Sequence, residues 1–372
     1  MKKTNGNIPS IILFEDDQEI REMKIALLEK SLKGNVSVLP FKDEKQTNNI
    51  PTEVYLENML SVMHSKGGIG LIVCDRELGN YKEINIISES VVTSVAEKLG
   101  LPICLYERKY KSPPNKDQIS LDKYKRWIQK EIIVTDDESF GLTCAGIYKG
   151  FTEISAKLES VTNHKILKLT PAALLAKVLD KEEETDRIAL YGAGEQGLLQ
   201  ELMPYYLNVQ NKDKLSSIRK RYPRILGNWL YNSILRFPGI LANEVATASY
   251  LSISPADFER KEVQQLFHIA EYTGPFHDCG RWWWRKDLDG LLNKANCKSG
   301  LEYAVQKGCK RVHPCKCVGD GKEGAGYYCM MREKPVCEKH SRGGIICFPA
   351  GADLSRFSLQ VYKKIGPFVG LY

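Results

Sequence analysis

"IILFEDD", residues 11–17, and "LIVCDREL", residues 71–78, decide how this chain is read. Each is a short apolar run that breaks into acids. Runs of this length bounded by polar signals suit strands buried on both faces of a sheet. In open parallel sheets covered by helices, chemistry collects beyond the carboxyl ends of the strands. Glu15, Asp16 and Asp17 follow the first run and Asp75 follows the second, so two separate strands aim carboxylates at one edge. Solvation of a strand end explains each group alone. A divalent-metal pocket explains their convergence.

Between and beyond these runs the pattern alternates. "QEIREMKIALLEKSLKG" (18–34) carries Ile20, Met23, Ile25, Ala26, Leu27 and Leu28 near helical spacing, and Gly34 stops it. "NVSVLPF" (35–41) reads as a second strand and "VYLENMLSVMHSK" (54–66) as a helix. "INIISESVVTSVAEKLG" (84–100) reads as a helix, "LPICLYE" (101–107) as a strand, "SLDKYKRWIQK" (120–130) as a helix and "EIIVTDD" (131–137) as a last strand. The alternation predicts an α/β fold, a doubly wound, flavodoxin-like sheet of five parallel strands over residues 1–150. A mainly helical region is expected over 151–292 and a small Cys-rich, zinc-stabilised module over 293–372.

The two acid-tipped runs resemble the receiver domain of response regulators, over about residues 9–150. The resemblance implies that Glu15 and Asp16 hold Mg²⁺ together with Asp75, that the Glu77 carbonyl lies near the metal, and that Asp75 is the phosphoacceptor. Mg²⁺ suits such a set, since it takes hard oxygen ligands, commonly one or two carboxylates plus phosphate. Two features depart from the family pattern. The hydroxyl residue after the fourth strand falls at Tyr106 and Glu107, and "IIVTDDES" (132–139) has no lysine where the family has one. The resemblance therefore implies a degenerate receiver with weakened phosphorylation and readout. Degenerate receivers joined to unfamiliar C-terminal regions resemble components of bacterial antiphage defence and conflict systems, which implies a protein partner in a multi-component system.

Composition sets wider bounds. The 372 residues suggest two or three domains, and no apolar run approaches the ~20 residues that span a bilayer. "MKKTNGNIPS" is basic, but "IILF" is too short for a signal-peptide core, so a cytoplasmic protein without membrane attachment is expected. Residues 201–372 carry 26 Lys and Arg against 16 Asp and Glu, which leaves the first 200 residues slightly acidic within the net charge of +7. A basic second half suits a polyanion such as nucleic acid or a solvated surface equally well. "RWWWRK" (281–286) sharpens the first reading: Arg281, Trp283, Arg285 and Lys286 offer aromatic faces and cations to single-stranded bases. The competing reading is a helix whose tryptophans anchor the core. His268, on an apolar stretch, reads as a core histidine, and the G-x-G-x-x-G pattern from Gly192 as a structural turn, because no acid-bearing strand follows it.

Eight of the eleven cysteines fall between Cys279 and Cys347. In a cytosolic chain such a cluster points to metal binding or free thiols more than to disulfides. Zinc takes four thiolate or imidazole ligands, usually offered as two close pairs. Cys337-x-x-His340 is one such pair, and the expected set is Cys315, Cys329, Cys337 and His340, with Cys317 and Cys309 as substitutes. His277 and Cys279 could join if the tryptophan segment folds back. A zinc deaminase would need a glutamate beside a His ligand and a Cys-x-x-Cys pair, and neither is present. The leading expectation is a non-enzymatic sensor or adaptor. The alternatives are a zinc-containing nucleic-acid-binding protein and an enzyme with its site in the Cys-rich region.

Overall fold

The computed structural model describes residues 8–42, 50–79, 87–108, 131–161, 169–192, 212–345 and 347–366. The helix expected over 120–130 and most of the glycine pattern that begins at Gly192 lie outside the described residues.

Five strands, β1 (Ser10–Phe14), β2 (Val38–Pro40), β3 (Ile69–Asp75), β4 (Ile103–Arg108) and β5 (Ile132–Asp136), form one sheet in the order β2-β1-β3-β4-β5. Every pairing is parallel. The α/β class is as expected, and its chemistry is visible strand by strand. Residues 11–14 of β1 and 71–75 of β3 are buried without a break, as central strands covered on both faces require. The edge strand β2 instead exposes Leu39 beside buried Val38.

Helices α1 (Gln18–Ser31), α2 (Thr52–Gly67), α3 (Glu89–Leu99) and α4 (Phe140–Glu159) accompany these strands. Asp17 caps α1 by accepting a hydrogen bond from the Ile20 amide, and Ser88 caps α3 through the Val91 amide. A core of Ile12, Phe14, Leu56, Leu60, Ile72, Val92, Val95 and Leu105 joins α2 and α3 to the sheet. Helix α4 begins at Phe140, ahead of the mainly helical region expected from residue 151.

Further along lie α5 (Pro171–Val178), α6 (Thr185–Ala189), α7 (Lys212–Trp229), α8 (Glu244–Tyr250), α9 (Pro255–Phe258), α10 (Lys261–Leu266), α11 (Arg285–Lys294), α12 (Gly300–Gln306) and α13 (Leu359–Ile365). Thr170 caps α5 with Pro171 in its first turn, and Ser254 and Pro255 start α9 in the same way. Trp282–Trp284 is a strand, β7, paired antiparallel with β6 (Leu241–Asn243), rather than a helix. All three tryptophans are buried. His268 is exposed, with its Nδ1 against the Gln265 carbonyl, and so is not a core histidine. The cysteine-rich region is built on β8 (Tyr327–Cys329), β9 (Lys334–Val336), β10 (Ser341–Arg342) and β11 (Ser355–Ser358), in the order β10-β11-β8-β9.

The chain divides into two compact units, each drawn from separated segments. The first takes residues 1–112, 131–168 and 202–228, and the second takes 113–130, 169–201 and 229–372. Within the first, α7 supplies arginines to the ends of other helices. Arg219 donates to the Leu158 and Glu159 carbonyls at the end of α4, and Arg221 donates to the Glu97 and Lys98 carbonyls in the last turn of α3. Carbonyls in the last turn of a helix lack the regular amide partner four residues on, and a guanidinium there also offsets the helix dipole. Arg224, fully buried, adds an ion pair to Glu97 at 2.7 Å. No helix among the described residues is long and apolar enough to cross a membrane.

Candidate functional site: an acid pocket at the sheet switch point

The chain runs from β1 outward to β2 and returns to place β3 on the other side of β1. The crevice beyond β1 and β3 is therefore the point where the winding reverses, the usual ligand site of an open α/β sheet. Glu15 and Asp16 sit at the tip of β1 and Asp75 ends β3. One carboxylate oxygen from each lies within 4.8 Å of those of the other two. Glu15 and Asp75 are buried.

Backbone amides fix the directions of these groups. Glu15 Oε1 accepts from the Asp17 amide at 3.0 Å, Asp75 Oδ1 from the Glu77 amide at 3.1 Å, and Asp16 Oδ2 from the Gly79 amide at 2.9 Å. Tyr106, on β4, donates its hydroxyl to Glu15 Oε2. Burial raises the Glu15 carboxyl above its ordinary value. The Tyr106 and Asp17 hydrogen bonds oppose that rise, and Asp75 and Asp16 add to it. Burial and the bond to Glu15 push the Tyr106 hydroxyl far above its usual range, so it stays a donor. Three carboxylates this close, two of them buried, favour a cation.

Two residues that the sequence reading did not select complete the surroundings. Lys24, on the buried face of α1, is fully inaccessible and lies 2.6 Å from Asp136 Oδ1 at the end of β5. Its ammonium also lies over the rings of Phe140 (3.9 Å) and Tyr106 (4.6 Å). The ammonium at the end of β5 thus comes from α1. Comparison with known proteins finds no matching family model, no matching curated protein and no matching solved structure.

The expected zinc ligands divide. Cys337 and His340 come together, with Cys337 Sγ 3.2 Å from His340 Nδ1. Cys317 joins them, whereas Cys315 and Cys329 do not belong to the group. Burial pushes the Cys315 thiol up to about 11, against a hydrogen bond with Ser249. Cys329, fully buried, accepts from the Ser358 amide at 3.2 Å. All three thiols are buried; the Cys315 amide donates to the Ser252 carbonyl at 3.0 Å, whereas Cys317 lies where its chain turns back, its carbonyl accepting from the Gly321 amide.

The aromatic–basic stretch is not an open stacking surface. Trp283 is fully buried, with Phe258 edge-on at 5.0 Å. Arg281 pairs with Glu271 at 2.6 Å, Arg285 with Asp353 at 2.6 Å and Lys286 with Glu184 at 3.2 Å. Base stacking needs an accessible ring face, which Trp283 does not offer.

Proposed function

We propose that this chain is a regulatory protein whose first unit is a receiver-like switch. Glu15 and Asp16 hold Mg²⁺ together with Asp75, and Asp75 accepts a phosphoryl group. The observation that carries this reading is the convergence of the three carboxylates at the β1/β3 switch point. In the step, an Asp75 oxygen attacks phosphorus, and the bond from phosphorus to the donor's leaving group breaks. The leaving group departs with the electron pair, and an acyl phosphate remains that water can hydrolyse. Mg²⁺ would offset charge on the phosphoryl oxygens. Lys24 supplies a cation at the β5 end, and Tyr106 occupies the hydroxyl position while committed to Glu15. That commitment fits a degenerate receiver with weak readout.

The second unit is the output side of the proposal: a zinc-stabilised module that engages a protein partner, as in multi-component defence systems. Binding to nucleic acid finds less support, because Trp283 is enclosed and its neighbouring cations are ion-paired.

Native mass spectrometry of the full chain with a small phosphodonor tests the switch. One phosphoryl adduct is expected, dependent on Mg²⁺ and lost in Asp75→Asn. Divalent-cation binding without an adduct would reduce the unit to a cation-binding pseudo-receiver. Absence of both would sink the proposal.

A further inference from the structure

The residues around His340 hold a pattern that a count of thiols and imidazoles passes over. Cys337-Glu338-Lys339-His340 is matched by Cys317-Val318-Gly319-Asp320, a second pair with the same two-residue gap. Asp320 Oδ2 lies 3.6 Å from His340 Nδ1. The same nitrogen lies 3.2 Å from Cys337 Sγ and 3.9 Å from Cys317 Sγ. Zinc bonds of roughly 2.3 Å to sulfur and 2.0–2.2 Å to nitrogen or oxygen, set in a tetrahedron, place neighbouring ligand atoms about 3.5 Å apart. The three observed separations, all taken from His340 Nδ1, bracket that value. Cys317, Cys337 and His340 hold ligand atoms within 4.8 Å of one another, and Asp320 stands beside that group through its contact with His340, a side-chain turn away from the fourth position.

We infer that the second unit binds one zinc ion in a closed, four-coordinate site made by Cys317, Asp320, Cys337 and His340. The inference rests on reading this unit as zinc-bearing, and replaces Cys315 and Cys329 in the ligand set by Cys317 and Asp320. Local backbone geometry supports it. Cys317 Sγ accepts amide hydrogen bonds from Gly319 (3.3 Å) and Cys337 (3.2 Å), the contacts that stabilise a thiolate. The chain turns back at once: the Cys317 carbonyl accepts from the Gly321 amide at 2.8 Å, and the Cys317 amide donates to the Lys322 carbonyl at 2.7 Å. Gly321 takes φ of +72°, which favours glycine. Gly319 lies so close to His340 that an added Cβ would stand 2.6 Å from the His340 Cβ. From Val318 the turn is tied to β9 by a 2.9 Å bond to the Pro335 carbonyl.

Two thiolates, one carboxylate and a neutral imidazole carry one negative charge more than the ion neutralises. Four protein ligands leave no open position, so the site is structural rather than catalytic. Its work is to join the turn at Cys317 to the segment after β9, in a region whose strands run only two to four residues.

The test uses the full chain purified from zinc-supplemented culture, with elemental analysis, cobalt(II) substitution and zinc competition against a chromogenic chelator. Expected are one zinc per chain and a cobalt spectrum of a tetrahedral site with two thiolates. Cys315→Ser should keep the metal, and Asp320→Asn should bind zinc at least tenfold more weakly. Wild-type protein that takes up neither zinc nor cobalt would overturn the zinc reading as a whole. A cobalt spectrum of three or four thiolates, or unchanged zinc affinity in Asp320→Asn, would overturn the ligand set alone. The wild-type spectrum decides even where a variant fails to fold.

Discussion

Lys24 shows how a single side chain alters the reading of a helix. In the sequence the periodicity of α1 rests on its apolar residues, yet Met23 and Leu27 lie on the exposed side, while Lys24 and Leu28, four apart, are fully buried. A lysine on the buried face needs a partner, and Asp136 and two aromatic rings provide it. Removing its charge leaves Asp136, which is a quarter exposed and can turn to water, so the loss is smaller than for a sealed pair. Lys24→Met is expected to destabilise the first unit by about 1–3 kcal/mol, read from urea unfolding. Tyr106→Phe takes one donor from Glu15, a loss of about 1–3 kcal/mol for a buried acceptor. That loss should shrink in millimolar Mg²⁺; an identical deficit with and without the ion would separate Tyr106 from the cation pocket. The acids themselves were legible, because a buried strand ending in charge is conspicuous. Asp320 was not, because an aspartate in a glycine-rich loop has the composition of any solvated turn.

At the scale of elements, the start of α4 was missed for a physical reason. "FGLTCAGIYKG" (140–150) is rich in glycine, which is unfavourable in helix interiors. Here Gly141 permits close approach to α1: an added Cβ would lie 2.8 Å from the Leu27 carbonyl oxygen and 2.7 Å from Ser31 Oγ. Gly141→Val should therefore cost about 1–3 kcal/mol through overpacking, although valine and glycine both rank low as helix formers. An unchanged melting temperature would contradict that close contact. The tryptophan strand misled differently, since three consecutive buried positions fit a short strand enclosed on both faces and not one helix face.

Asp257 in α9 gives the second unit a pH signature. Burial alone would raise its pKa, but hydrogen bonds from Ser254, from the His313 amide and ring, and from Arg260 outweigh it and lower the pKa to about 2. A carboxylate with a depressed folded-state pKa contributes stability above its unfolded value near 3.8, and loses it as pH falls toward 2. Wild-type protein should thus lose thermal stability between about pH 4 and pH 2. Asp257→Asn should be less stable at pH 6 and show a flatter acid limb. The contact matters locally because His313 begins the segment that carries Cys315 and Cys317.

For the molecule as a whole, the sheet and its pocket were readable from strand-tip patterns, because parallel-sheet burial imposes long apolar runs. The make-up of the units was not, since no local period records which distant helix returns to cap another. Two units with separate means of support should also unfold separately. A zinc chelator is expected to lower the melting of the second unit while leaving that of the first in place, resolved by calorimetry as two transitions. A single transition insensitive to the chelator would count against a metal-supported second unit.

The arginines of α7 carry a further consequence for synthesis of the chain. The last turns of α3 and α4 wait for Arg219, Arg221 and Arg224, which are translated some 60 to 127 residues after the groups they bind. On the ribosome, all five strands are therefore complete well before the first unit can close. Until residue 228 has emerged, the nascent sheet keeps two helix ends unsealed. A fragment stopped at residue 150 would hold the same acids in an unfinished frame, and is expected to be cut by protease faster than one carried through residue 228.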